Sequence, residues 1–129
     1  MSQSLKLGDL TPNHDIKPKI LIIDDDSVTR RLLRQQIHIM GYESMEANNG
    51  RQGLDLIRAN PGAFDAVLLD RTMPEMDGMA VVYAMKRDPV MAAIPIIMQT
   101  SKNSPEEVKE GIDAGVFYYL TKPIDADLL

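Results

Sequence analysis

The stretch Lys19–Arg30, KILIIDDDSVTR, runs four apolar residues straight into three adjacent carboxylates, Asp24, Asp25 and Asp26. Ile20 to Ile23 has no polar alternation, so it reads as a strand buried on both faces, as in a parallel sheet covered by helices. Ser27 to Met40 then places Leu32, Leu33, Ile37 and Met40 at helical spacing. This predicts a helix with those four inward, Asp26 or Ser27 as N-cap, and Gly41 as its stop. Three acids at a strand-to-helix junction repel one another unless a proton or a cation joins them.

The same alternation continues along the chain. Tyr42–Ala47 reads as a second strand, and NNG (Asn48–Gly50) opens a helix around Leu54 and Ile57 that ends at Asn60–Gly62. DAVLLD (Asp65–Asp70) is a third strand. RTMPEMDG (Arg71–Gly78) is a loop in which Gly78 supplies permissive backbone, and Met79–Lys86 is a helix. Ile94–Thr100 is a fourth strand, followed by a helix that Ser104 caps with Pro105 in its first turn. Val116–Leu120 is a fifth strand, ending at TKPID. Strands alternating with helices predict a doubly wound α/β fold with a five-stranded parallel sheet. Ligands of such sheets gather beyond the carboxyl ends of the strands. Asp24, Asp25, Asp70, Thr100 and Lys122 all fall at that edge.

The chain of 129 residues is long enough for one domain with a sizeable core, and 44% hydrophobic with 26% charged residues is a globular composition. A net charge of −5 argues against general nucleic-acid or membrane-surface binding. The absence of cysteine removes disulfide and thiolate chemistry. No apolar run approaches the roughly 20 residues that span a bilayer, and no signal-peptide segment opens the chain. The expected location is the cytoplasm. Met1–Pro18 is polar and aperiodic, expected to be a loose tail (1–18) before a domain over 19–129.

Asp24, Asp25 and Asp70 form a set of hard oxygen ligands, and both histidines, His14 and His38, lie elsewhere. Such a set suits Mg²⁺, with Mn²⁺ as a substitute. Asp26 is the natural helix cap. Lys122, before Pro123, offers a cation that could hold an anionic group, and a cis bond there would aim it inward. Thr100 and Ser101 offer hydroxyls to a phosphoryl oxygen. Each residue also has a plainer reading: solvated acid, surface lysine in a turn, hydroxyl capping a loop. Arg30, Arg31 and Arg34 form a basic strip on the first helix that is by default solvated.

Five blocks in order, ILIIDDDSVTRR, GYESMEANNGRQGL, FDAVLLDRTMPEMDG, IPIIMQTS and GVFYYLTKPID, resemble the receiver domain of bacterial two-component response regulators, from about Lys19 to Ile124. The resemblance implies a flavodoxin-like sheet of order 2-1-3-4-5. It implies that Asp70 is the phosphoacceptor, that Asp25 binds Mg²⁺ directly with Asp24 assisting, and that the Thr72 backbone carbonyl is a further ligand. Lys122 would pair with the phosphoryl group, Thr100 would be the switch hydroxyl, and Tyr119 the aromatic that follows it. Thr72 departs from the Asn or Met more usual there. The implied partners are a sensor histidine kinase or phosphotransfer protein and a downstream output domain. Receivers commonly meet their phosphodonor beside the first helix, which gives the arginine strip a second reading.

The chemistry is that of a signalling switch rather than a turnover enzyme: a carboxylate attacks phosphorus, and alignment with charge neutralisation does the rest. Two rivals stand. A haloacid-dehalogenase-like phosphatase would need an Asp where Thr72 stands, and a receiver-like module working without phosphate would not need the acids. The sequence ends at DADLL, where a receiver's fifth helix would begin, so the last helix is expected to be truncated. Exposed apolar surface left by that gap would favour a homodimer, or cover by the tail.

Overall fold

The structure is a computed structural model that describes residues 17–101 and 104–121. Nine elements alternate: β1 (Lys19–Ile23), α1 (Ser27–Ile39), β2 (Glu43–Ala47), α2 (Gly50–Ala59), β3 (Ala66–Asp70), α3 (Gly78–Arg87), β4 (Ile96–Thr100), α4 (Pro105–Asp113) and β5 (Tyr118–Thr121). All strand pairs are parallel, in the order β2-β1-β3-β4-β5. The implied flavodoxin-like order is therefore the observed one. The expected tail up to Ile16, the end of the chain with Lys122 and Pro123, and Lys102 lie outside the described residues.

The strand side chains divide by parity, as a two-faced sheet requires. Leu21, Ile23, Val67, Leu69, Ile96 and Met98 join the larger core with Leu54 and Ile57 of α2 and Val81, Val82 and Met85 of α3. Ile22 and Leu68 face the other way and meet Leu33 and Ile37 of α1. Each such burial stabilises by about 1.5–3 kcal/mol. The register sets Ile23 beside Leu69, and Asp70 beside Gln99. Because β1 and β3 end level, their terminal acids emerge at one edge.

Three local readings need correction. Leu32 and Met40, expected inward, are 53% and 43% exposed. The contact stripe of α1 is the single pair Leu33 and Ile37, one turn apart, and Leu32 lies a hundred degrees round the helix from it. Met40 is the C-cap, beyond the last turn, and lines a shallow apolar groove with Ile37, Tyr42 and Leu68. The fifth strand begins at Tyr118, not Val116, because Gly115 (φ 108°) turns the chain and the Val116 N–H closes back on Gly111. Gly78 is not needed for a left-handed backbone. It is needed for space, since a Cβ there would come within 2.5 Å of the Asp70 carbonyl oxygen and 2.7 Å of Arg71 Cα. Gly41, in contrast, stops α1 at φ 86° with open space around it.

Helix ends follow the residues expected to make them. The Asp26 carboxylate accepts from Val28 N–H at 3.1 Å, and Ser104 and Glu107 form a reciprocal capping box at the start of α4. Among the described residues no helix is long and apolar enough to cross a membrane.

Candidate functional site

The carboxyl edge of the sheet brings Asp24, Asp25 and Asp70 together, each with an oxygen within 4.8 Å of the others. Asp70 is the last residue of β3 and Asp24 the first beyond β1, and both are buried; Asp25 is exposed. At that spacing two unit charges repel by about 3.5 kcal/mol in a protein-like dielectric of about 20. A divalent cation turns that repulsion into attraction.

Asp24 is held from several sides. Its N–H extends the β1–β2 ladder to the Ala47 carbonyl at 3.1 Å. Its Oδ1 accepts the Asp26 N–H at 2.9 Å, and its Oδ2 accepts Gln99 Nε2 at 3.2 Å. Arg30 Nη1 donates to its carbonyl at 2.7 Å, while Arg30 Nε and Arg34 Nη1 share the carboxylate of Glu46 on β2. The arginine strip is thus partly a brace: Arg30 is half-buried and pins the backbone that presents the acids, whereas Arg31 is exposed.

At the end of β3, Asp70 Oδ1 accepts the N–H of Thr72 at 3.3 Å, folding the loop back over the strand end. Thr72 is exposed. Thr100 ends β4 and is buried, one residue beyond the Gln99 that pairs with Asp70 and opposite Thr121 of β5. Tyr119 is half-buried on β5, its hydroxyl accepting from Arg71 Nη1 at 3.3 Å and its ring lying against Gly111. Lys122, the next residue after β5, lies outside the described residues, as does the Pro123 peptide bond.

The donor set fits a hard divalent ion: three carboxylates, no thiolate, and, among the described residues, no imidazole beside them, His38 being exposed in the last turn of α1. One further feature belongs to it. Gln99 is fully buried, and while its Nε2 serves Asp24, its Oε1 has no hydrogen-bond partner. Sequence reading missed this residue, although a glutamine inside the apolar run IIMQT was a usable signal, because a carboxamide is buried only where something polar meets it. Arg71 was also missed. Its partners lie 36 to 48 residues away, and no periodicity announces them.

The sequence and structure align with known proteins over nearly the whole described chain. Residues 20–129 match the family described as the response regulator receiver domain. The chemotaxis protein CheY1 of Helicobacter pylori is 34% identical over 112 residues, covering 86% of this chain and 90% of its own. The DNA-binding dual master transcriptional regulator RpaA of Synechocystis is 35% identical over 111 residues, covering 85% of this chain but only 45% of its own, so the chain spans less than half of that relative. The solved structure of the Vibrio cholerae chemotaxis protein CheY4 superposes with a TM-score of 0.80 at 30% identity, over 87% of this chain and 92% of the other. With the parallel 2-1-3-4-5 sheet and the acids at its carboxyl edge, these matches establish that the chain belongs to the response regulator receiver domain family.

Proposed function

We propose that this receiver, over residues 19–129 with a polar tail before it, is a phosphorylation-dependent switch in which Asp70 accepts a phosphoryl group. The donor is a phosphohistidine on a sensor histidine kinase or phosphotransfer protein. The supporting observation is the placement of Asp70 at the end of β3, with oxygens of Asp24 and Asp25 within 4.8 Å. An Asp70 oxygen attacks phosphorus, the phosphorus–nitrogen bond breaks, and the donor imidazole leaves with the electron pair. Asp24, Asp25, Asp70 and the Thr72 carbonyl would hold Mg²⁺, or Mn²⁺ in its place. The ion supplies positive charge that offsets the charge spread over the transferring oxygens.

The chain's own residues do the rest. Asp24, fixed by Gln99 and the Asp26 N–H, keeps the acid cluster in place. Lys122 pairs with the phosphoryl group, and Thr100 donates its hydroxyl to a phosphoryl oxygen. Tyr119 follows Thr100, carrying the change to the surface of α4 and β5, where an output domain or partner reads it. The protein works in the cytoplasm, is not a turnover enzyme, and touches neither nucleic acid nor membrane through this domain.

Acetyl phosphate with Mg²⁺, followed by intact mass measurement, tests this. A single adduct on the wild type, absent from Asp70→Asn and from samples without metal, is expected. Multiple turnover of small phosphoesters would point to a phosphatase, and no adduct with any donor would point to a module working without phosphate.

A further inference from the structure

Arg71 stands one residue beyond Asp70, and its side chain is only 9% exposed, yet the phosphoryl chemistry above does not use it. Its backbone is clamped on both sides. The N–H donates to the Gln99 carbonyl at 3.1 Å, and the carbonyl accepts from Gly78 at 2.8 Å. From that fixed base the guanidinium crosses to α4 and β5. Nη1 donates to the Glu107 carbonyl at 2.7 Å and to the Tyr119 hydroxyl, and Nη2 donates to the Glu110 carboxylate. The Tyr119 ring also lies on α4, at Gly111, where an added Cβ would come within 3.1 Å of it. One cation therefore ties the residue after the acceptor to both segments that form the neighbouring surface.

Burial works against the charged arginine, but the hydrogen bonds with Tyr119 and Glu110 outweigh it and hold its pKa above the ordinary arginine value. The guanidinium therefore stays charged, and its own response to a neighbouring change is a movement.

We propose that Arg71 is the latch through which the state of Asp70 reaches α4 and β5, holding Tyr119 against α4 in the unphosphorylated chain and letting go when the loop over 71–77 rearranges. The inference rests on Asp70 being the phosphoacceptor. A phosphoryl group brings acceptor oxygens and negative charge to the carboxylate that now takes the Thr72 N–H. Reorganising that contact moves the backbone on which Arg71 stands. Charge-assisted hydrogen bonds are directional, and a planar fork meeting a carboxylate, a carbonyl and a hydroxyl at once tolerates little displacement. Release would free a surface already carrying exposed Ile112, Phe117 and Tyr118.

The test measures amide hydrogen exchange over 104–121 with and without phosphorylation, beside the intact mass, in wild type, Arg71→Met and Arg71→Lys. Phosphorylation is expected to raise exchange across 105–113 in the wild type by about tenfold, the scale of losing one charge-assisted hydrogen bond. Arg71→Met should still form the adduct, exchange fast before phosphorylation, and change little after it; Arg71→Lys, which keeps charge without the fork, should follow it. A resting exchange equal to wild type, or a raised exchange that keeps the full phosphate-dependent step, would overturn the latch and leave Arg71 a structural brace. Should Arg71→Met fail to fold, Tyr119→Phe removes only the hydroxyl and must shrink the step; an undiminished step overturns the latch. Absence of an Asp70 adduct from the wild type overturns the acceptor reading and the latch together, whereas an intact adduct with unmoved exchange overturns the latch alone.

Discussion

Gln99 Nε2 donates to Asp24 Oδ2 at 3.2 Å, and both residues are fully buried. The carboxamide lets a buried carboxylate exist beside two other acids, because a charge-assisted donor replaces part of the hydration that burial removes. Gln99→Met keeps the volume and deletes the donor. Loss of a hydrogen bond to a charged group is worth about 1.5–3 kcal/mol, but the substitution also removes the partnerless Oε1. We expect a net destabilisation of about 1 kcal/mol, read as a lower urea midpoint at unchanged slope. An unchanged midpoint would mean that Asp24 does not depend on this contact.

Metal binding should appear as stability. A ligand at a hundred times its dissociation constant stabilises the folded state by about 2.7 kcal/mol. Thermal unfolding of the wild type should therefore shift upward with added Mg²⁺ and return on chelation. Asp25→Asn, at the exposed member of the cluster, should remove most of that shift without harming the metal-free protein, since it eases repulsion among the acids. A shift that survives the substitution would place the ion elsewhere.

Two glycines separate space from backbone conformation. Gly78→Ala drives a methyl into the Asp70 carbonyl and Arg71 Cα, neither of which is a flexible side-chain end. The expected loss is about 1–3 kcal/mol, with slower adduct formation because the end of β3 that carries Asp70 must move. Gly41→Ala meets no atom within 4 Å but sits at φ 86°, so its loss is strain alone, about 1 kcal/mol, with the phosphorylation rate unchanged. Equal effects of the two on rate would refute the distinction.

Much of this architecture was readable because it is local or periodic. Apolar runs gave the strands, Ser104 and Pro105 gave the start of α4, and the acids after Ile23 and Leu69 announced the carboxyl edge. The sheet order came with the family likeness and was not derivable from alternation. What escaped was set by tertiary packing. Leu32 has the hydrophobicity of a core residue and stays outside because α1 offers the sheet only the Leu33–Ile37 stripe. Gly78 looked like a turn glycine, and its close approach to β3 exists only once the loop has folded back. Arg71 read as one more charged loop residue, because Glu107, Glu110 and Tyr119 reach it only when α4 and β5 are in place.

The start of α4 links the helix cap to that network. The Ser104 side chain accepts from Glu107 N–H at 3.2 Å, the Glu107 carboxylate accepts from Ser104 N–H at 3.3 Å, and the carbonyl of the same Glu107 takes Arg71 Nη1. Ser104→Ala removes the cap and should lower stability by about 1 kcal/mol while fraying the first turn. Fraying displaces one acceptor of Arg71, so the cap and the guanidinium act on one turn and their losses cannot be independent. Combined with Arg71→Met, the double variant should lose less than the sum of the single losses, with a coupling of about 0.5–1 kcal/mol by denaturant unfolding. Strict additivity would show that Arg71 is indifferent to the order of that turn, and that its hold on α4 runs through Glu110 and Tyr119 alone.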